Sequence, residues 1–202
     1  MEIQHGRDNQ TLDAETLRRR LSGYTDCLID LGTGDGRFAR RMAIERPDRF
    51  VVGVDACREQ LHATSRRVLP NELYVIANAL ALPDELAGLA SHVTINFPWG
   101  ALLDGLIHPQ SPVLTCLVTI TRPGALVEAR LNGGALAEVG LSLAEGASRV
   151  RRALRITGFD VDLPADMDAR ALHACPTTWA KRLAFGRDPR AIYLRGRRAI
   201  GQ

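Results

Sequence analysis

Between Cys27 and Gly36 a short apolar run, Cys27-Leu28-Ile29-Asp30-Leu31, passes directly into Gly32-Thr33-Gly34-Asp35-Gly36. Such a run reads as a buried strand, and the alternating glycines after it read as a tight turn, because glycine enters left-handed backbone without steric cost. Helical spacing follows at once: over Gly36–Glu45, Phe38, Met42 and Ala43 share one face while Arg40 and Arg41 take the other. Strand, glycine turn and helix in this order form the opening unit of a Rossmann-like α/β sheet that receives a ligand at the carboxyl ends of its strands.

The alternation continues down the chain. Strands are expected at Phe50–Val54, Glu72–Ala77, Val93–Asn96 and Ala125–Ala129, the last after Pro123-Gly124. Helices are expected at Arg58–Val68, with Leu61 and Val68 inward, and at Pro112–Ile120. Beyond Leu131, Leu143–Ile156 carries Val150, Ala153 and Leu154 at helical spacing, Gly158 closes it, Phe159 begins a strand, and Ala191–Leu194 makes the last one. The fold class is therefore α/β, a mostly parallel seven-stranded sheet with helices on both faces. At 202 residues the whole chain, 1–202, fits one such domain. Residues 164–190 form a linker between the last two strands.

The turn admits two ligands. A dinucleotide fold normally presents G-x-G-x-x-G amides to a pyrophosphate. Here the spacing is G-x-G-x-G, with Asp30 two residues before Gly32. A carboxylate there repels phosphate but organises a cationic amino group, which favours S-adenosyl-L-methionine. Asp55, at the end of the next strand, can accept both hydroxyls of a ribose. The third strand ends Ile76-Ala77-Asn78-Ala79-Leu80; Asn78 can read an adenine amino group, whereas Leu80 offers the ring apolar contact only. The cofactor-binding set is thus Asp30, Gly32, Gly34, Asp55, Asn78, Ala79, Leu80 and Asn96.

Two tryptophans mark the substrate side. The fourth strand ends Asn96-Phe97-Pro98-Trp99-Gly100, where a proline-stiffened turn can aim the Pro98 carbonyl at an N–H while the indole stacks on a base. Stacking contributes roughly 1–3 kcal/mol per base. Trp179 lies in Thr177-Thr178-Trp179-Ala180-Lys181-Arg182-Leu183-Ala184-Phe185-Gly186-Arg187, among cations that can grip phosphates while the ring holds an extruded base. Taken singly, each tryptophan also suits ordinary packing under a loop or helix.

Composition excludes several classes. Hydrophobic residues make up 46% and charged residues 24%, the balance of an ordinary globular protein. The net charge is +3, and Lys181 is the sole lysine among 26 Lys and Arg, a bias that genome composition explains as readily as nucleic-acid binding does. Met1–Gln10 is polar with no secretory core, and no apolar run is long enough for a membrane span, so a cytoplasmic protein is expected. Cys27, Cys57, Cys116 and Cys175 lie far apart without a C-x-x-C pair and read as reduced core thiols. His5, His62, His92, His108 and His173 show no ligand spacing, so no metal is expected.

Three segments together, Asp30–Gly36, Asn96–Gly100 and Trp179–Arg187, resemble the Kam-type aminoglycoside-resistance methyltransferases, and the likeness runs in order from about Leu12 to Leu194. It implies a class I methyltransferase fold and methylation of N1 of adenine 1408 in 16S ribosomal RNA within the 30S subunit. It also implies S-adenosyl-L-methionine as cofactor, S-adenosyl-L-homocysteine as product, and a monomeric enzyme. By the same resemblance Trp99 and Trp179 sandwich the flipped adenine and the Pro98 carbonyl receives its amino group. Asp30, Gly32 and Asp55 hold the cofactor, Thr177, Lys181, Arg182 and Arg187 hold distorted RNA backbone, and Arg66 and Arg67 remain from a basic docking linker. The chain departs from the family pattern at Leu80, at Ala101, in the short connection from Arg67 to Leu73, and at Asp188-Pro189. A small-molecule methyltransferase of the same fold, or a non-catalytic RNA- or cofactor-binding relative, are the alternatives.

Overall fold

The computed structural model describes residues 1–184 and 190–200. A hairpin of β1 (Glu2–His5) and β2 (Asp8–Thr11) is followed by α1 (Ala14–Leu21) and β3 (Asp26–Leu31). α2 (Arg37–Glu45) leads to β4 (Arg49–Asp55); the short α3 (Arg58–Leu61) and a 3-10 turn at Thr64–Arg67 lead to β5 (Glu72–Ile76). Next come β6 (Ala90–Asn96), α4 (Gly100–Ile107), α5 (Pro112–Ile120) and the long β7 (Thr121–Asn132). The chain closes with α6 (Gly133–Glu138), α7 (Leu143–Ile156), β8 (Phe159–Val161), β9 (Ala165–Met167), α8 (Ala169–Ala174), α9 (Thr178–Ala184) and β10 (Ala191–Arg198).

The strands form one sheet in the order β2-β1-β5-β4-β3-β6-β7-β10-β8, with β9 also paired to β10. β3 to β7 are parallel; β10 runs antiparallel between β7 and β8. The seven expected strands are β3–β8 and β10. The hairpin extends this sheet past β5, and β9 adds a short tenth strand. Strand order reverses at β3, whose neighbours are β4 and β6, and a doubly wound sheet opens a crevice at that point.

Both faces of the central strands are buried, as their continuous apolar runs require. Ile29, Val52, Val93 and Ile95 pack on one face with side chains from α1, α4, α5 and α7. Leu28, Val51 and Tyr74 meet α2 and α3 on the other. The α7 helix begins and ends where its spacing places it, since Ser142 and Glu145 form a reciprocal capping box at its start.

Three elements differ from expectation. The helix expected over Arg58–Val68 breaks after Leu61. Ser65 Oγ bonds the Leu61 carbonyl at 2.7 Å and accepts the Gly6 amide at 3.1 Å, while Arg40 takes the Thr64 and Arg67 carbonyls at 2.7 and 2.6 Å. Side chains thus claim groups that a continuing helix would use. Arg40, expected on the solvent face of α2, is therefore half-buried and also pairs with Glu72 at 2.9 Å. β7 begins four residues early and passes through Pro123, because the pairing with β6 is irregular there and the ladder does not need a proline N–H. Cys27 and Cys175 are buried, the Cys27 thiol being pushed up to about 12 by burial. Cys57 and Cys116 are only half-buried, which corrects the expectation of four core thiols. No described helix is long and apolar enough to cross a membrane.

Candidate functional site

The crevice beside β3 opens into a cavity of about 720 Å3, within the roughly 300–1,000 Å3 of small-ligand sites. Its floor is the glycine turn. Gly32 (φ 74°) and Gly36 (φ 72°) are left-handed, and a Cβ would lie 2.6 Å from Leu102 Cδ2 at the first and 2.6 Å from Tyr74 Cε1 at the second. A side chain at either position would be strained by the backbone and pressed against its neighbour. The Gly32 and Thr33 amides both bond the Val54 carbonyl at 2.9 Å, and the Gly34 amide bonds Asp55 Oδ2 at 2.7 Å. The turn is thereby folded back on the end of β4.

Asp30 is buried (1% exposed) at the bottom of the cavity. Thr33 Oγ1 donates to one carboxylate oxygen at 2.5 Å; Thr94 Oγ1 and Asn96 Nδ2 donate to the other at 2.7 and 2.9 Å. Burial pushes this carboxyl above the ordinary aspartate range, although the three donors and the Arg130 charge pull the other way. A cation arriving in the cavity would stabilise its ionised form. Asp55 accepts from Gly34 on Oδ2 and from the Cys57 amide on Oδ1 at 2.9 Å. Each oxygen keeps a second lone pair, so the carboxylate can take two hydroxyls. A buried acid at the floor, a two-oxygen acceptor at the wall and a turn bare of side chains at Gly32 and Gly34 together fit an amino-acid-bearing nucleoside such as S-adenosyl-L-methionine.

The cavity brings together most of the expected cofactor residues: Asp30, Gly32, Gly34, Asp55, Asn78, Ala79 and Asn96 all line it. Asn96 is also a bridge, giving Nδ2 to Asp30 and accepting Arg130 at Oδ1 at 2.8 Å. Leu80 does not line the cavity. It packs against the main core, and its amide bonds Asn78 Oδ1 at 3.0 Å in a local turn that directs the chain away.

The mouth is made by the segment after β6 and by α9. Phe97 has a left-handed backbone (φ 52°), costly for a residue with a Cβ. Its amide bonds the Arg130 carbonyl at 2.7 Å, and its ring is buried against Leu172, Cys175, Ala180 and Ala191. That anchor stands under both tryptophans. Pro98, Trp99, Thr177 and Trp179 line the cavity, and the indoles of Trp99 and Trp179 stack on each other at 5.6 Å between centroids, 14° from parallel. Thr177 Oγ1 caps α9 by accepting the Ala180 amide at 2.8 Å.

Of the expected RNA contacts, Thr177 lines the cavity, whereas Arg66, Arg67 and Lys181 do not. Arg66 and Arg67 are exposed on the 3-10 turn, Arg66 beside Gly6 of the hairpin. Lys181 is exposed on α9, where Arg182 also lies; Arg187 falls outside the described residues. Sequence reasoning missed Thr33 and Thr94, which hold Asp30, and Thr178, whose hydroxyl donates to Asp35 Oδ2 at 2.6 Å. Thr33 and Asp35 sit inside the turn itself; nothing local marked Thr94 or Thr178. Among the described residues no cluster of His, Cys, Asp and Glu could hold a metal ion.

With this geometry in place, likeness to known proteins is informative. The family model described as NpmA, 16S rRNA (adenine(1408)-N(1))-methyltransferase, matches residues 2–198. A 16S rRNA (adenine(1408)-N(1))-methyltransferase of Escherichia coli is 32% identical over 205 residues, covering 93% of this chain and 94% of that protein. The crystal structure of the antibiotic-resistance methyltransferase Kmr is 35% identical and covers all of both chains with a TM-score of 0.83. A W203A mutant of the 16S rRNA (adenine(1408)-N(1))-methyltransferase from Catenulisporales acidiphilia, solved with cosubstrate SAM, is 25% identical with a TM-score of 0.88, covering 100% of this chain and 98% of that one.

Proposed function

The chain belongs to the 16S rRNA (adenine(1408)-N(1))-methyltransferase family, and we propose that it methylates N1 of adenine 1408 in the 30S subunit and so confers aminoglycoside resistance. It is an S-adenosylmethionine-dependent methyltransferase. When bound, S-adenosyl-L-methionine would supply a sulfonium methyl to the in-plane N1 lone pair, the N–C bond forming as the C–S bond breaks, so that neutral S-adenosyl-L-homocysteine would leave and the base would become a cationic 1-methyladenine. No proton leaves N1, so the reaction requires neither a general base nor a metal.

The chain's own residues supply position. Asp30 faces the amino end of the cofactor, Asp55 takes the ribose, and Asn78 and Ala79 border the adenine. Gly32 and Gly34 let backbone approach where a side chain would intrude. The Pro98 carbonyl accepts the target's amino group, fixing which edge of the base faces the methyl. Trp99 and Trp179 hold the base flat and favour the positive charge that develops on it. Two contact layers of about 3.5 Å each need roughly 7 Å between the rings, more than the 5.6 Å observed, so the pair parts as the base enters. Thr177, Lys181, Arg182 and Arg187 grip the flanking backbone, with Arg66 and Arg67 as further phosphate contacts. In this reading 1–202 is a single cytoplasmic, monomeric domain, and 164–190 is its recognition segment.

The observation that carries the proposal is the meeting of Trp99 and Trp179 over a cavity floored by the glycine turn. Expression in a susceptible bacterium should raise tolerance to kanamycin and apramycin. Primer extension on 30S subunits treated with protein and cofactor should stop at adenine 1408. Folded, cofactor-binding protein that gives neither result would sink the proposal and favour a small-molecule acceptor.

A further inference from the structure

Trp179 lies between two anchored neighbours. On one side Ala180 is buried in the cluster beneath Phe97. On the other, Thr178 Oγ1 donates to Asp35 Oδ2 at 2.6 Å across 143 residues of sequence. Asp35 belongs to the cofactor turn, between Gly34 and Gly36, and is itself held: its carbonyl accepts the Thr64 hydroxyl, and its carboxylate accepts the Arg37 amide at 3.2 Å and faces the Arg37 guanidinium at 3.4 Å. Asp35, Thr178 and Trp179 all line the one cavity. One charge-assisted hydrogen bond therefore joins the loop that receives the methyl donor to the helix that presents a stacking ring.

We propose that Thr178 is a positioning residue for methyl transfer, its bond to Asp35 coupling occupancy of the cofactor turn to the placement of Trp179 for the target base. The proposal rests on the functional reading above. A ligand settling against Gly32–Asp35 presses on the segment that carries the Asp35 carboxylate, and the bond passes that displacement to the first turn of α9. The coupling is reciprocal: a base that parts the indoles and moves α9 acts back on the cofactor turn by the same free energy. The residue does not touch the reacting atoms; it sets the register between methyl and base, to which in-line transfer is steeply sensitive.

The chain's two tryptophans are Trp99 and Trp179, so emission excited selectively in tryptophan, beyond tyrosine absorption, reports this pair alone. Titrating S-adenosyl-L-homocysteine into wild-type protein should change that emission. Thr178→Val keeps the shape and removes the donor. It should abolish the emission change and lower kcat on 30S subunits about tenfold, with the KM for subunits nearly unchanged. Thr178→Ser, which keeps the hydroxyl donor, should restore both. Should Thr178→Val fold poorly, Thr178→Ala gives the same comparison. A valine or alanine variant with wild-type emission response and kcat overturns the coupling, as does a serine variant no better than valine. Absence of calorimetric binding of S-adenosyl-L-homocysteine to wild-type protein would instead remove the functional reading beneath it.

Discussion

Asp30 stands where an ionised group is costly and an incoming cation makes it worthwhile. Burial raises its pKa, and Thr33, Thr94, Asn96 and the Arg130 charge lower it again without restoring the ordinary value. A bound ammonium group adds a stabilisation that only the carboxylate form can use. Cofactor affinity should therefore be full above the pKa of Asp30 and fall as pH drops through it. Because that pKa is raised, the fall begins at a higher pH than an exposed aspartate would give. Calorimetric titration of S-adenosyl-L-homocysteine across the acid range reads this directly. Asp30→Asn should weaken binding about tenfold or more at neutral pH and flatten the pH dependence. An asparagine variant with the wild-type pH profile would show that Asp30 is not the group sensing the cation.

Among the elements, the 3-10 turn Thr64–Arg67 is an unplanned-looking break that gives two arginines a fixed stage. Arg40 holds its Thr64 and Arg67 carbonyls from beneath, and Ser65 ties it to Gly6, while the Arg66 and Arg67 side chains stay exposed. If both contact phosphate, Arg66→Glu with Arg67→Glu should raise the KM for 30S subunits and lower the slope of log affinity against log salt by about 1–2. Cofactor affinity should not move, since neither residue lines the cavity; an unchanged salt slope would remove them from the RNA surface. The turn also shows where sequence stops being informative. The strand at β3, the glycine turn and α7 were legible because their signals are local: an apolar run, alternating glycines, and Val150, Ala153 and Leu154 at helical spacing before Gly158. The hairpin was not. β2 is exposed along its length, β1 joins β5 through the single pair Ile3–Val75, and the hairpin turn is held by Ser65, 59 residues from Gly6. The Thr178–Asp35 contact was invisible for the same reason.

Across the whole molecule, the face of the sheet that carries Leu28 changes character beyond β3. In place of an apolar surface, Arg49 pairs with Asp26 at 2.8 Å and lies 3.3 Å from His92; His92 lies 3.1 Å from Glu128, to which Tyr193 also donates. Arg130 sits 3.8 Å from Glu128 and donates to Asn96, which donates to Asp30. Strands β4 and β10 are thus joined to Asp30 by continuous polar contact, with Glu128 at the centre. Burial opposes ionisation of Glu128, but the bonds from His92 and Tyr193 and the charges of His92 and Arg130 outweigh it and hold its pKa at about 2. A carboxyl depressed on folding stabilises the native state above its unfolded pKa and loses that contribution as pH falls through the folded value. Glu128→Gln should therefore cost about 1–3 kcal/mol at neutral pH, a Tm lower by roughly 2–4 °C for each kcal/mol. The gap between variant and wild type should narrow steadily as the solution is acidified towards pH 2. Arg130, no longer neutralised by Glu128, should also favour the Asp30 carboxylate more strongly, moving the acid midpoint of cofactor binding downward. Thermal unfolding of both proteins across that range, alongside the cofactor titration, tests both statements. Coincident unfolding curves at neutral pH would show that the network adds no stability, and an unmoved midpoint that it does not reach the cofactor site.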